Sequence, residues 1–225
     1  MLTGAEERPT GAVLLELVTV MDRLRSDCPW DARQTHESLV PYLLEETYEA
    51  LEAIERHDLT ELRGELGDVL LQVLFHARIA AERTDGTGFD IDDVAREIAD
   101  KLVRRHPHVF ADVSVSGADE VKRNWETIKG EERAAAGGGP SSALDGVPMA
   151  QPALSLAAQL QRRAASAGAP AELAELEPAV SDLGAELFAL VSRAREAGAD
   201  PELELRKAAR AYRERFVAWE QSARA

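Results

Sequence analysis

Residues 41–78, PYLLEETYEALEAIERHDLTELRGELGDVLLQVLFHAR, carry two acidic clusters on what read as consecutive helices, joined by a short polar turn around His57 to Thr60. Residues three apart on an α-helix sit nearly above one another, so Glu46/Glu49 and Glu65/Asp68 each form a carboxylate pair on one face. If the two helices pack antiparallel, the four carboxylates converge. Like charges at this spacing repel and gain a helix nothing. A divalent cation supplies a reason for them, because magnesium takes hard oxygen ligands and leaves its remaining positions to water and phosphate oxygens. The pattern therefore predicts a Mg²⁺ site, or Mn²⁺ in its place, that receives a phosphorylated substrate.

A solvated acidic surface explains a lone Glu-x-x-Glu equally well. Two features favour the site. At 100° per residue Leu62, Leu66, Val69, Leu70, Val73, Ala77 and Ala80 fall on one stripe, with Glu61, Glu65, Asp68, Gln72 and His76 along its border and not on the far side. A compact basic cluster, Lys101, Arg104 and Arg105, then follows. Positive charge at a helix C-terminus is favoured without any ligand, so the basic cluster gains weight only from the acidic one. A di-iron carboxylate bundle would want Glu-x-x-His, and no histidine here has a glutamate three residues before it.

The other helices follow from periodicity. Gly11 to Leu24 places Val13, Leu14, Leu17, Val18, Met21 and Leu24 at near-helical spacing and ends before the Cys28-Pro29-Trp30-Asp31 loop. Thr35 is the expected N-cap of the second helix, whose apolar side is Leu39, Tyr42 or Leu43, Ala50 and Ile54. Gly86 to Gly88 marks a turn before a helix from Ile91 to Leu102, which Pro107 follows; Ala118 to Arg133 reads as another. The Ala/Gly/Ser/Pro-rich run toward Pro148 is a linker, with no Gly-Lys-Ser/Thr to make Gly137 to Gly139 a phosphate loop. Helical patterns return over Pro152 to Ala167, Ala171 to Ala197 with a break near Pro178, and Pro201 to Gln221. The expected division is 1–134, a linker at 135–150, and 151–225, all of it α-helical.

An echo links the halves. Residues 182–195, DLGAELFALVSRAR, align without gaps on residues 65–78, with five of fourteen positions identical. Asp68 corresponds to Ala185, and no Glu-Glu-x-x-Glu precedes the second copy, so the C-terminal half is not expected to build the same site.

A formal net charge of −15 argues against nucleic acid or an anionic membrane as partner, and leaves a phosphate substrate open if metal ions neutralise the site. Cys28 is the only cysteine, the N-terminus lacks a signal-like pattern, and no run approaches a membrane span, which predicts a cytoplasmic protein. Trp30 and Trp125 are candidates to stack on a nucleobase, each with a packing role as the alternative. Cys28 and Trp219 read as structural, and His106 and His108 as satisfying local hydrogen bonds.

Five motifs in order, Cys28-Pro-Trp-Asp-x-x-Gln-Thr35, Leu44-Glu-Glu-Thr-Tyr-Glu-Ala50, Arg63-Gly-Glu-Leu-Gly-Asp-Val-Leu70, Lys101-Leu-x-Arg-Arg-His-Pro-His-Val-Phe110 and Trp125-x-x-x-Lys129, resemble the MazG family of nucleoside triphosphate pyrophosphohydrolases. The resemblance covers about residues 12–148 and continues more weakly beyond Pro152. It implies an all-α bundle completed by homodimerisation, with a degenerate second domain, and hydrolysis of NTPs or dNTPs to monophosphate and pyrophosphate in nucleotide house-cleaning. Carried over by position, it implies Glu46, Glu49, Glu65 and Asp68 as metal ligands with Glu45 as a nearby acidic helper. It implies Lys101 and Arg105 as triphosphate contacts beside Arg104, and Trp125 and Lys129 as a late substrate-contacting pair. The alternative is a catalytically idle nucleotide-binding or protein-binding regulator.

Overall fold

The computed structural model describes residues 9–135, 142–170, 173 and 182–223. Among these the regular structure is helical, with no strand, and no helix is long and apolar enough to cross a membrane. The chain forms two compact units, Met1–Glu126 and Thr127–Ala225.

The first unit is built on a helical hairpin. Thr35 caps α2 (His36–Glu55): its side chain accepts from the Ser38 N–H while the Ser38 hydroxyl accepts from the Thr35 N–H, a capping box that fixes where the helix starts. The helix ends at Arg56, and His57 takes a left-handed conformation, φ 57°, which reverses the chain. Asp58 then caps α3 (Leu59–Ala80), its Oδ1 accepting from the N–H groups of Thr60 and Glu61 at 3.0 Å each. His36 meets His76 while Glu46 and Glu49 meet Glu65, so the two helices run antiparallel, as the convergence of carboxylates requires.

α1 (Ala12–Asp27) also packs on α3. The core joins Met21, Leu39, Leu74 and Phe75, with Leu17, Val18, Leu70, Leu71, Ile79 and Ile91 around it. Arg25 fastens this layer. Its Nε and Nη2 donate to the two carboxylate oxygens of Glu82 at 2.8 and 2.9 Å, and its Nη1 donates to the Asp31 and Gln34 carbonyls of the 3₁₀ turn Asp31–Arg33. Gly86, at φ 84°, and Gly88 carry the next turn. A Cβ on Gly88 would stand 3.0 Å from the carbonyl oxygens of Ala80 and Arg83. α4 (Ile91–Arg105) follows behind an Asp90–Asp93 capping box, then the single turn α5 (Pro107–Phe110) and α6 (Ala118–Ala135).

The apolar stripe of α3 needs correction. Leu66 and Val73 are exposed within the chain, whereas the buried positions are Gln72, Leu74, Phe75, Ala77 and Ala80. Ile54 on α2 is likewise exposed, with Ala53 buried instead, and of the α1 face Val13 and Leu14 are exposed while Met21 is buried as expected. Periodicity locates an apolar face but not the flank that a neighbour covers.

The second unit contains α7 (Ala153–Ser166), α8 (Asp182–Glu196) and α9 (Pro201–Ala223). Buried Gln161 ties it together, donating from Nε2 to the Phe188 carbonyl at 2.8 Å and accepting at Oε1 from Arg195 Nη1 at 3.2 Å. Val191, 1% exposed, occupies the place that the echo pairs with Leu74, 5% exposed, so the repeat preserves a packing position. The expected break near Pro178 and the Gly137–Gly139 stretch lie outside the described residues.

Candidate active site

The α2–α3 register brings carboxylate oxygens of Glu46, Glu49 and Glu65 within 4.8 Å of one another. Glu46 and Glu65 are half-buried and Glu49 is exposed. Asp68 stands outside this triplet but close enough to act on it through space: with Glu49 it helps raise the pKa of both Glu46 and Glu65. For each of these two groups loss of hydration is the largest cause, and the neighbouring negative charges come next. Glu65 also takes part in a hydrogen bond with Glu49, which favours a proton on the pair. Glu45 is exposed and adds its charge to the field at Glu46.

This donor set fits a hard divalent cation. Oxygens bound to one magnesium at its usual 2.0–2.1 Å are separated by about 3 Å when adjacent and about 4 Å when opposite. The triplet needs only small side-chain movements to reach that geometry. A cation would also offset the lost hydration and the neighbouring negative charge that hold the two carboxyl pKa values up.

The basic cluster is placed at the end of α4, where Lys101 Nζ lies 3.4 Å from Glu97 Oε1. Arg105 is packed against Trp125, its Cζ 5.4 Å from the ring centroid, while His106 meets the same indole edge-on at 4.8 Å. His106 Nδ1 lies 2.6 Å from the Leu102 carbonyl oxygen. Trp125 is thus engaged by Arg105 and His106 within the chain. Lys129, four residues on in α6, belongs to the second unit. Trp30 packs edge-on with Tyr42 and Phe75, at 5.9 and 6.4 Å between centroids, and remains half exposed.

One feature was missed in the sequence. His36 and His76 meet with their Nδ1 atoms 2.8 Å apart, and His76 Nε2 and Gln72 Oε1 are buried without hydrogen-bond partners among the described residues. His76 and Gln72 lie on the polar strip that also carries Glu65 and Asp68, but forty positions separate the two histidines and no motif joins them.

Residues 34–110 match the MazG nucleotide pyrophosphohydrolase domain. A nucleoside triphosphate pyrophosphohydrolase of Escherichia coli K12 is 43% identical over 89% of this chain and 84% of its own length. The chain belongs to the MazG family. A nucleoside triphosphate pyrophosphohydrolase/pyrophosphatase MazG of Thermotoga maritima is 41% identical over 95% of this chain and 88% of its own length. An uncharacterized 26.1 kDa protein of Streptomyces cacaoi is 48% identical over 98% and 87% respectively. The crystal structure of a MazG-related protein of Thermotoga maritima aligns over 51% of this MazG chain and 97% of its own, at 27% identity and a TM-score of 0.44.

Proposed function

We propose that this MazG chain hydrolyses nucleoside triphosphates, ribo- or deoxyribo-, to the monophosphate and pyrophosphate, using a divalent cation held in the first unit. The convergence of Glu46, Glu49 and Glu65 carries the reading. The names of full-length relatives support the substrate class.

Cutting between the α- and β-phosphates requires in-line attack by water while charge grows on the pyrophosphate leaving group. Glu46, Glu49, Glu65 and Asp68 would hold magnesium, or manganese in its place, with Glu45 adding negative potential beside them, and the ion would supply the positive charge that acidifies water and neutralises phosphate oxygens. Lys101 and Arg105 stabilise the leaving pyrophosphate, with Arg104 at their side. Trp125 orients Arg105 through its ring face, Lys129 makes the companion substrate contact, and Trp30 offers a surface for the base. We assign the domains 1–134 and 151–225, joined by a linker, to catalysis and to packing respectively. The working form in this reading is a cytoplasmic homodimer that clears surplus nucleotides.

The test is incubation with a panel of NTPs and dNTPs plus Mg²⁺, scoring pyrophosphate against orthophosphate. Pyrophosphate release that stops on chelation is expected. Tight nucleotide binding with no release of either product would instead support an idle regulator.

A further inference from the structure

The His36–His76 contact is a planar, edge-to-edge pair. The ring planes are only 6° apart, and the centroids lie 5.1 Å apart although the Nδ1 atoms are separated by 2.8 Å, so the rings extend away from each other along the nitrogen–nitrogen line. Stacked rings would have closer centroids. In this arrangement one Nδ1 carries a proton and the other accepts it, so the two imidazoles hold opposite roles.

The position of the pair is as informative as its geometry. His36 is the first residue of α2 and His76 lies in the last part of α3, whereas the covalent turn through His57 joins the opposite ends. Glu46 is ten residues on from His36 and Glu65 eleven back from His76, which places the carboxylates about 15 Å along the same interface. The hairpin is therefore closed at one end by the chain and at the other by a hydrogen bond, with the acidic triplet between.

We propose that a single proton shared by His36 and His76 clasps α2 to α3 and holds Glu46, Glu49 and Glu65 at metal-binding spacing. This rests on the metal-site reading above. The two histidines are positioning residues. The clasp tolerates one positive charge on the pair, since an imidazolium Nδ1–H donates to a neutral partner, and opens when both rings are protonated. Charged groups on the surrounding elements are Glu37 on α2, Arg78 on α3 with Asp22 of α1, Asp31 and Arg33 in the 3₁₀ turn, and Asp90 and Asp92 at the start of α4. Hydrogen bonds from its own backbone and from Thr35, and then the charge of His36, lower the pKa of Glu37, while burial and then His36 lower the pKa of His76. The second protonation is accordingly the difficult one.

The experiment combines ¹⁵N NMR of the histidine side chains in the full chain with calorimetric titration of Mg²⁺ alone. The expected spectrum shows His36 and His76 as opposite Nδ1 donor and acceptor at neutral pH. His36→Ala should weaken Mg²⁺ binding about tenfold. His36→Asn, whose amide can donate to His76 Nδ1, should restore near-native affinity. Identical tautomers on the two rings, or equal Mg²⁺ affinity in all three proteins, would overturn the proposal. Should His36→Ala fail to fold, the native spectrum and His36→Asn still decide it. Nucleotide turnover is not a readout, so its absence would sink the hydrolase reading and leave this test intact.

Discussion

Arg25 and Glu82 form a bidentate ion pair between the end of α1 and the chain just beyond α3, with N–O distances of 2.8 and 2.9 Å and only 10% of the arginine side chain exposed. The same guanidinium serves the Asp31 and Gln34 carbonyls, so its removal leaves two backbone acceptors without it and Glu82 with Arg78 as its remaining arginine partner. Arg25→Met should cost about 2–4 kcal/mol in a urea titration. A loss below 1 kcal/mol would mean that the pair is replaceable by water.

The same pair sets an acid-side dependence. The hydrogen bond from Arg25 holds the Glu82 carboxyl below its ordinary value of 4.5. Its contribution is fully present above the unfolded value and is lost as pH falls below about 4.5 through the folded one. Glu46 and Glu65 act in the opposite sense, because their folded values are raised. The metal-free protein should lose stability as pH rises from about 4.5 through those values. Thermal melts in chelator should show Glu46→Gln more stable than the native chain at neutral pH, and the difference should vanish below pH 4.5.

Glu49→Gln and Asp68→Asn should each reduce Mg²⁺-dependent pyrophosphate release by at least about 100-fold while leaving helicity and melting cooperativity intact. Retained turnover would remove these residues from the site. Binding of Mg²⁺ should also release protons at pH values above the ordinary carboxyl range, readable as a buffer-dependent heat, because the cation competes with the protons favoured by the raised Glu46 and Glu65.

In the second unit, Gln161→Leu should destabilise by about 1–3 kcal/mol, since it removes hydrogen bonds to Phe188 and Arg195 and leaves the latter half-buried without that acceptor. Ala185→Asp should create no Mg²⁺ site in calorimetry.

The helices of the first unit, the Thr35 cap and the convergence of Glu46, Glu49 and Glu65 were legible because each is written within a few residues or in one helical period, whereas the first and fourth helices run on to Asp27 and Arg105, past the expected Leu24 and Leu102. Arg25–Glu82 and His36–His76 were not, since fifty-seven and forty positions separate the partners and nothing local announces them. Exposure of Leu66, Val73 and Ile54 escaped for a related reason: spacing shows that a face is apolar, and only the packed neighbours decide which part is covered. The structure adds to the echo which of its positions is packed alike. Val191 matches Leu74 in burial, whereas Asp68, Gln72 and His76 are replaced by Ala185, Ala189 and Arg193.

The turn through His57 has a kinetic side. All four carboxylates lie between positions 46 and 68, so bringing them together closes one short loop and no long one. Loop-closure entropy for so local a contact is small, and contacts of low sequence separation form early when a chain folds. We expect the hairpin to reach its native register ahead of α1 and its Arg25 anchor, so that the nascent chain would acquire the acidic triplet before the layer that later braces it.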